Sequence, residues 1–344
     1  MNSPMSRRSF LKSGTAAVAA GGAVLGSAAT ARAAGVPTAK DTFGLLKQGK
    51  KMPVILDTDI GDDIDDTWAL LMLLKSPELD VKLVTSDSGN DGYRARIIAK
   101  MLEAVGRTDI PVGVGLDRQD KPGRQSQWVG DYTLSKYPGK VLEDGVDAII
   151  KTIHASADPI TLVCIGPVPN IGAALERDPS IARRARFVGM HGSVRRGYNN
   201  SPNISAEYNV RANPKALQKV FAAAWDVTVT PLDTCGIVQL RDERFQRVYT
   251  SKAPGVQDLM ENYRVWLGER GKQGPLTASS TLFDTVGVYL ALTEKLLKME
   301  TLGLKVTDDG YTRTDTAGRK VHCAVEWEDM DAFKDDLVDR LTSG

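Results

Sequence analysis

The chain has 344 residues, 44 Lys and Arg against 43 Asp and Glu, and a formal net charge of +1. That balance gives no electrostatic footprint for a nucleic-acid partner. Cys164, Cys235 and Cys323 are odd in number, widely spaced and set in apolar strand-like runs, so they read as buried free thiols rather than a disulfide framework.

Residues 1–33 read as an address. Ser6-Arg7-Arg8-Ser9-Phe10-Leu11-Lys12 resembles a twin-arginine export signal, followed by an Ala/Gly run (Ala16 to Ala29) and the small-residue site Ala31-Arg32-Ala33. The run is too short and too rich in Ala and Gly for a membrane anchor. Cleavage after Ala33 is expected, leaving a periplasmic or secreted protein without an anchor. It removes Arg7, Arg8, Lys12 and Arg32 and no acid, which moves the formal charge from +1 to −3. A polar leader is expected at 34–50 and one folded unit at 51–344, as a homo-oligomer (dimer or tetramer).

The first strand, Met52–Leu56, runs into the most informative stretch of the chain. Asp57, Asp59, Asp62, Asp63, Asp65 and Asp66 put six carboxylates into ten residues, followed directly by the apolar run Thr67 to Leu74, which reads as a buried helix. Burying such charges without partners costs several kcal/mol each, roughly. A divalent cation relieves that cost, and an all-oxygen set points to Ca²⁺ or Mg²⁺ rather than Zn²⁺. An EF-hand loop needs Gly sixth and Glu twelfth; here Gly61 is fifth and Trp68 twelfth, so that reading fails. A solvated acidic loop seldom stands between an apolar strand and an apolar helix. An aspartyl-phosphate phosphatase explains Asp57 and Asp59 but leaves Asp65 and Asp66 without a role.

Further strands are expected at Val81–Ser86, Ile160–Ile165, Arg186–Met190 and Val227–Leu232. Helices are expected at Tyr93–Val105, Gly145–Ser156, Ile171–Arg177 and Pro214–Ala224. Asp117–Pro138 and Gly192–Ser205 read as long polar loops. The tail reads as a hairpin around Asp315-Thr316-Ala317-Gly318, closed by a helix, Asp331–Leu341. Apolar strands alternating with amphipathic helices predict an α/β fold: an open, mostly parallel sheet with helices on both faces and a Rossmann-like core. Ligands of such sheets bind outside the carboxyl ends of the strands. There the sequence offers Asp87-Ser88-Gly89-Asn90, Gly166-Pro167-Val168-Pro169-Asn170, His191-Gly192 and Glu207-Tyr208-Asn209, while Phe283-Asp284 opens a later helix.

In this order, Asp-Thr-Asp-x-Gly…Asp-Asp, Gly89-Asn90, Gly-Pro-x-x-Asn (166–170), Ala-Glu-Tyr-Asn (206–209), Asp284 and Met330-Asp331-Ala332-Phe333 resemble the inosine–uridine-preferring nucleoside hydrolases, from about Lys51 to Leu341. The resemblance implies Ca²⁺-dependent hydrolysis of the N-glycosidic bond of a ribonucleoside. It further implies that Asp59, Asp66, Asp284 and the main-chain oxygen of Pro169 ligate Ca²⁺, with Asp59 also the general base. Asp65, Asn90, Glu207 and Asn209 would hold the ribose hydroxyls, with Asn203 a looser candidate. The chemistry agrees, because positive charge grows on the sugar and a carboxylate-lined pocket favours it over the neutral substrate.

Two positions depart from the family pattern. Asp62-Asp63-Ile64 lengthen the acidic loop: alignment through Gly61 selects Asp63 and Ile64 as the paired acids, alignment through the helix selects Asp65 and Asp66, and Ile cannot ligate. Where many members carry a His before the last Asp, this chain has Phe283, as purine-specific relatives carry an aromatic that stacks on the base. The expectation is a purine-leaning hydrolase. His191, at a strand end, is a candidate contact to the base; His154, within a helix, reads as structural. The alternative function is a periplasmic protein that binds ribosides without hydrolysing them. Retention of Asp59 argues against it, since a pure binder needs no proton acceptor.

Overall fold

The computed structural model describes residues 35–87, 92–116 and 123–344. Its strands are β1 (Met52–Thr58), β2 (Leu79–Ser86), β3 (Val112–Gly113), β4 (Val141–Leu142), β5 (Ile160–Cys164), β6 (Ala185–Met190), β7 (Val227–Thr230), β8 (Leu297–Val306), β9 (Thr312–Thr314) and β10 (Arg319–Trp327). They form a ten-stranded sheet in the order β4-β3-β2-β1-β5-β6-β7-β10-β8-β9. β1 to β7 and β10 are parallel, and β8 runs antiparallel to both β10 and β9. The mostly parallel α/β sheet is the one the alternation of elements predicts.

Every residue of β1 is buried, the mark of a central parallel strand covered on both faces. Its side chains alternate between two apolar layers. Val54 and Leu56 join one with Trp68, Phe245 and Phe333; Ile55 joins the other with Leu83, Ile149 and Phe187. The sequence proceeds outward from β1 in both directions, through β2 on one side and β5 on the other. The switch point, where such sheets keep their ligands, therefore lies between the carboxyl ends of β1 and β5.

Two helices are apolar nearly all round and lie deep in the fold. Asp65–Leu74 is buried at every position, and Phe283–Leu292 at every position but its first. They pack on each other, and the terminal helix Met330–Thr342 packs on Asp65–Leu74. No described helix is long and apolar enough to cross a membrane. All three cysteines are buried and free.

The tail is wired differently from the expected hairpin. The hairpin joins β8 to β9 through Thr307–Tyr311, where Gly310 takes φ +87°, a conformation that favours glycine. Residues 315–318 instead carry the chain past β8, which pairs with β9 on one edge and β10 on the other; Leu304 opposes both Thr314 and Arg319. Asp-Asp-Gly and Asp-Thr-Ala-Gly both spell turns, and strand pairing rather than turn chemistry decides which closes a hairpin. Within 34–50, Ala39–Lys47 is a helix started by a reciprocal cap between Thr38 and Asp41 and held down by buried Leu45. β3 and β4, two residues each, escape periodicity altogether. The segment 123–138 contains a short helix, Ser126–Val129, and a single 3₁₀ turn, Leu134–Lys136.

Phe333 pins the terminal helix: its buried ring stacks on Trp327 at 4.8 Å and meets Tyr289 edge-on at 5.1 Å. Phe333→Ala should cost about 3–5 kcal/mol of stability, the range for deleting a buried aromatic ring. Chemical denaturation should show the lower midpoint, and a loss under about 1 kcal/mol would mean that the site collapses around the missing ring.

Candidate active site

Site construction starts with the main chain of the acidic loop. Arg94, itself 2% exposed, donates Nη1 to the carbonyls of Asp59 and Ile60 and Nη2 to Asp62 Oδ2 at 2.8 Å. The Tyr93 hydroxyl donates to Gly61 O (3.0 Å), Trp266 Nε1 to Asp62 O (2.9 Å) and Gln125 Nε2 to Asp63 O (2.7 Å). Five consecutive carbonyls, from 59 to 63, are thus each taken by a side chain from outside the loop. Gln125 is fixed in turn, its Oε1 accepting from Thr67 Oγ1 and Asn262 Nδ2.

With the backbone held, the carboxylates of Asp59, Asp62, Asp63, Asp65 and Asp66 line a cavity of about 600 Å³, together with Glu207, Tyr208, Asn209, Phe283 and Asp284. Asp65 and Asp66 occupy the first turn of one buried helix and Asp284 the first turn of the other. Asp284 does not cap its helix: Leu282 is the N-cap residue, and the Asp284 N–H donates to Asp65 Oδ2 at 3.3 Å. One carboxylate oxygen from each of Asp65, Asp66 and Asp284 lies within 4.8 Å of the other two. Ile64, the partner required by the alignment through Gly61, is buried in the apolar layer, while Asp63 faces the cavity.

Burial raises Asp59, Asp63, Asp65, Asp66, Glu207 and Asp284 above the ordinary carboxylate range. Asp65, Asp66 and Asp284 stand well above it, first through loss of water and then through neighbouring carboxylates: Asp63 acts on Asp65, Asp59 and Asp65 on Asp66, and Asp65, Asp66 and Asp59 on Asp284. Asp59 is pushed up to about 7 by burial, although the Arg94 charge opposes the shift. Asp57, behind the cavity, is raised to about 6 by burial despite hydrogen bonds from Thr85 Oγ1 (2.6 Å) and Asn170 Nδ2 (2.7 Å). Its Oδ2 is buried and has no hydrogen-bond partner among the described residues. The Thr58 hydroxyl donates to Asp66 Oδ1, tying β1 to the helix.

Glu207 and Asn209 are placed by the short helix Tyr208–Ala212. Glu207 caps it, Oε1 accepting from Asn209 N (2.7 Å) and Oε2 from Gly192 N (3.0 Å) and Val210 N (3.3 Å); burial raises its carboxyl to about 7. Asn209 Nδ2 donates to Ile165 O and Met190 O, both at 3.0 Å, which anchors it across the ends of β5 and β6. Pro169 opens the helix Pro169–Arg177 beyond β5. At Gly166 a Cβ would lie 2.9 Å from Asp59 N and 2.8 Å from Asp87 Oδ2, so only glycine lets β5 close on β1.

Other expected residues stand apart from this group. His191 is buried outside the cavity lining, its Nε2 3.0 Å from Gly166 O and its ring 5.6 Å from that of Phe187. Burial lowers its pKa to about 4. Since a carbonyl only accepts, Nε2 carries the proton of a neutral imidazole. Asn203 is exposed in the loop after β6 and is also absent from the lining. Asn90 lies outside the described residues. Conversely, Tyr198, Arg124, Ile165 and Met190 line the cavity without having been singled out in the sequence. Tyr198 meets Phe283 edge-on at 6.1 Å, and its hydroxyl accepts from Tyr208 N at 2.9 Å.

Comparison with known proteins accords with this geometry. The family model described as inosine-uridine preferring nucleoside hydrolase matches residues 54–335. The chain is 32% identical over 315 residues to the pyrimidine-specific ribonucleoside hydrolase RihA of Escherichia coli O9:H4 (strain HS), covering 84% of this chain and 98% of that protein. Its fold is similar to a plant nucleoside hydrolase, PpNRh1 (TM-score 0.71, 23% identity, 85% of this chain and 99% of that one). It is also similar to the purine-preferring ribonucleoside hydrolase from Gardnerella vaginalis (TM-score 0.69, 23% identity, 84% and 98%). The chain belongs to the nucleoside hydrolase family, enzymes that cleave the N-glycosidic bond of ribonucleosides.

Proposed function

We propose that the protein is a Ca²⁺-dependent ribonucleoside hydrolase that leans toward purine nucleosides and is exported by a twin-arginine signal in residues 1–33. The observation that carries the metal is the cluster of Asp65, Asp66 and Asp284, three buried carboxylates held together with no basic side chain hydrogen-bonded to them among the described residues. A hard divalent cation fits such a donor set, and the acidic loop suits the variable coordination of Ca²⁺ better than the strict octahedron of Mg²⁺. Asp66 and Asp284 of that cluster would hold it together with Asp59 and the main-chain oxygen of Pro169, which the family resemblance implies, while Asp65 stands beside them. When bound, the cation supplies a positive charge that acidifies a water molecule and binds ribose hydroxyls.

The residues divide the remaining work. Asp59 accepts the proton of the attacking water at its carboxylate. Asp65, Glu207 and Asn209 accept hydrogen bonds from the ribose hydroxyls, a role the family resemblance also gives to Asn90. The surrounding carboxylates favour the positive charge that develops on the sugar as the C1′–N bond breaks. Phe283, edge-on to Tyr198, presents a ring to the base. His191, neutral and outside the cavity lining, gives no proton to the departing base, which takes its proton from solvent. The purine lean rests on Phe283; the pyrimidine-specific relative points the other way, and a substrate panel separates the two.

Inosine, guanosine, uridine and cytidine should be assayed for released reducing sugar with and without a chelator. Inosine hydrolysis should vanish with chelator and return with Ca²⁺. Asp59→Asn should lower turnover by at least the roughly 10²–10⁴-fold that general-base catalysis supplies, with a smaller effect on binding. Turnover like that of the wild type in this variant would move the base elsewhere, Asp63 first.

The carboxyls also set a stability signature. A carboxyl whose folded pKa is raised takes up protons on folding, so its stabilising contribution is full below the unfolded value near 4 and is lost as pH rises through the folded value. Asp57 is raised to about 6 and Asp59 and Glu207 to about 7, so the metal-free protein should lose melting temperature between pH 4.5 and pH 8. Ca²⁺ at 100 times its dissociation constant should restore about 2.7 kcal/mol at pH 8 and much less at pH 5. A melting temperature that climbs with pH in chelator would show that these acids are paired.

Phe283→Ala should cost inosine about 1–3 kcal/mol in kcat/KM, the usual worth of stacking a base on an aromatic ring, and uridine less. Kinetics of both nucleosides with Phe283→Ala and Phe283→His decide it. Equal losses on the two substrates would reduce Phe283 to a packing residue at a helix start.

A further inference from the structure

Among the described residues, the cavity wall carries seven carboxylates (Asp59, Asp62, Asp63, Asp65, Asp66, Asp284, Glu207) and one cationic side chain, Arg124. The carboxylates suit a sugar that becomes positive. They do the opposite for the base, which receives the electron pair of the breaking bond and becomes negative as it leaves. Without help at the base, a wall this acidic would oppose half of the reaction it promotes. Arg124 is the side chain of the lining with the right sign.

Its surroundings hold it there. The guanidinium lies over the Trp266 ring, 4.1 Å from the centroid, and Nη2 donates to Trp266 O at 3.1 Å. Trp266 is fixed by its own Nε1 bond to Asp62 O and by stacking on Tyr263 at 5.8 Å. The Arg124 charge also acts on Asp63, lowering that carboxyl against the upward push of burial. Stacking occupies the face of a guanidinium and leaves its N–H edge available. Only one of the five N–H groups has a hydrogen-bond acceptor among the described residues. Arg124 is therefore a preorganised cation, with donors that no described residue takes, on the wall of an acidic cavity that also contains Phe283.

We propose that Arg124 stabilises the departing nucleobase, donating hydrogen bonds to its ring nitrogen or carbonyl oxygen as negative charge develops there. The inference rests on the ribohydrolase reading. Water oxygen bonds to C1′, the C1′–N electron pair passes to the base, and Asp59 takes the water's proton. The base anion, held by Arg124, then gains a proton from solvent while Asp59 returns its own to solvent. Arg124 supplies charge and hydrogen bonds, and the proton itself comes from solvent.

The test compares a poor leaving group with a good one. Inosine needs help at the base, whereas 4-nitrophenyl β-D-ribofuranoside expels a stable anion unaided. For Arg124→Ala, kcat/KM on inosine should fall about 10–100-fold, the worth of one charge-assisted hydrogen bond made in the transition state, while the nitrophenyl riboside changes less than about threefold. Across nucleosides and aryl ribosides, the dependence of rate on leaving-group pKa should steepen in Arg124→Ala and recover in part in Arg124→Lys. Equal losses on inosine and the nitrophenyl riboside, or no loss on either, would overturn the role of Arg124 while leaving the hydrolase reading intact. A wild-type protein that cleaves neither substrate would overturn both.

Discussion

The structure is organised around the cost of keeping carboxylates close together out of water. Left to itself, such a loop would swing its acids into solvent, because repulsion and desolvation both favour it. The fold prevents this through the main chain. Arg94 and Tyr93 from one helix, Gln125 from the following segment and Trp266 from a later helix take the five carbonyls from Asp59 to Asp63. Those bonds fix where the side chains must point. The partial positive charge at the amino ends of Asp65–Leu74 and Phe283–Leu292 then favours the anions at Asp65, Asp66 and Asp284. Much of the apolar layer around Trp68 serves to hold those two helix ends against each other.

How much of this was legible follows from how local each signal is. The strands β1, β2, β5, β6 and β7 and the helices between them were readable because continuous apolar runs and helical periodicity are properties of neighbouring residues. Asp59, Asp66 and Asp284 could be proposed together as ligands through the ordered motifs of a family, whereas the three carboxylates within reach of one another are Asp65, Asp66 and Asp284. The straps were not legible. An Arg in a helix reading Tyr-Arg-Ala-Arg, or a Trp near the end of another helix, has no local mark that separates it from a surface residue. Arg124 was hidden for the same reason, in a polar segment with no periodicity. The hairpin was misplaced because two turn sequences compete and only long-range pairing with β8 selects between them.

His191 and Phe283 show why position in the chain is a weaker guide than position in the fold. Both stand where a strand or helix end meets the cleft, so sequence reasoning offered both to the base. The side chain after β6 instead turns inward, against Phe187 and Gly166 O, and burial makes a charged imidazole costly. Phe283, one residue before the acid that joins the cluster, is the only part-buried residue of its helix and lines the cavity.

Strained backbone follows β5, in the turn that leads into the Pro169–Arg177 helix. Val168 takes φ 56° and ψ 32°, a left-handed conformation that costs a β-branched residue on the order of 1–3 kcal/mol. It persists because its neighbours leave no alternative. Gly166 is wedged against Asp59 and Asp87, Pro167 and Pro169 fix the chain on either side, and the Val168 N–H donates to buried Asp87 Oδ2 at 2.8 Å. Asn170 then crosses to Asp57 Oδ1 and Ser86 O through Nδ2 and receives Leu116 N on Oδ1. One turn thus ties the ends of β1, β2 and β5 to the segment after β3 and sets the first residue of the Pro169–Arg177 helix at the switch point. A relaxed turn at 168 would free that helix to shift relative to Asp59. The strain and the carbonyl straps therefore serve the same end, fixing main chain at the ends of β1 and β5 so that side chains of one sign stay where repulsion would not leave them.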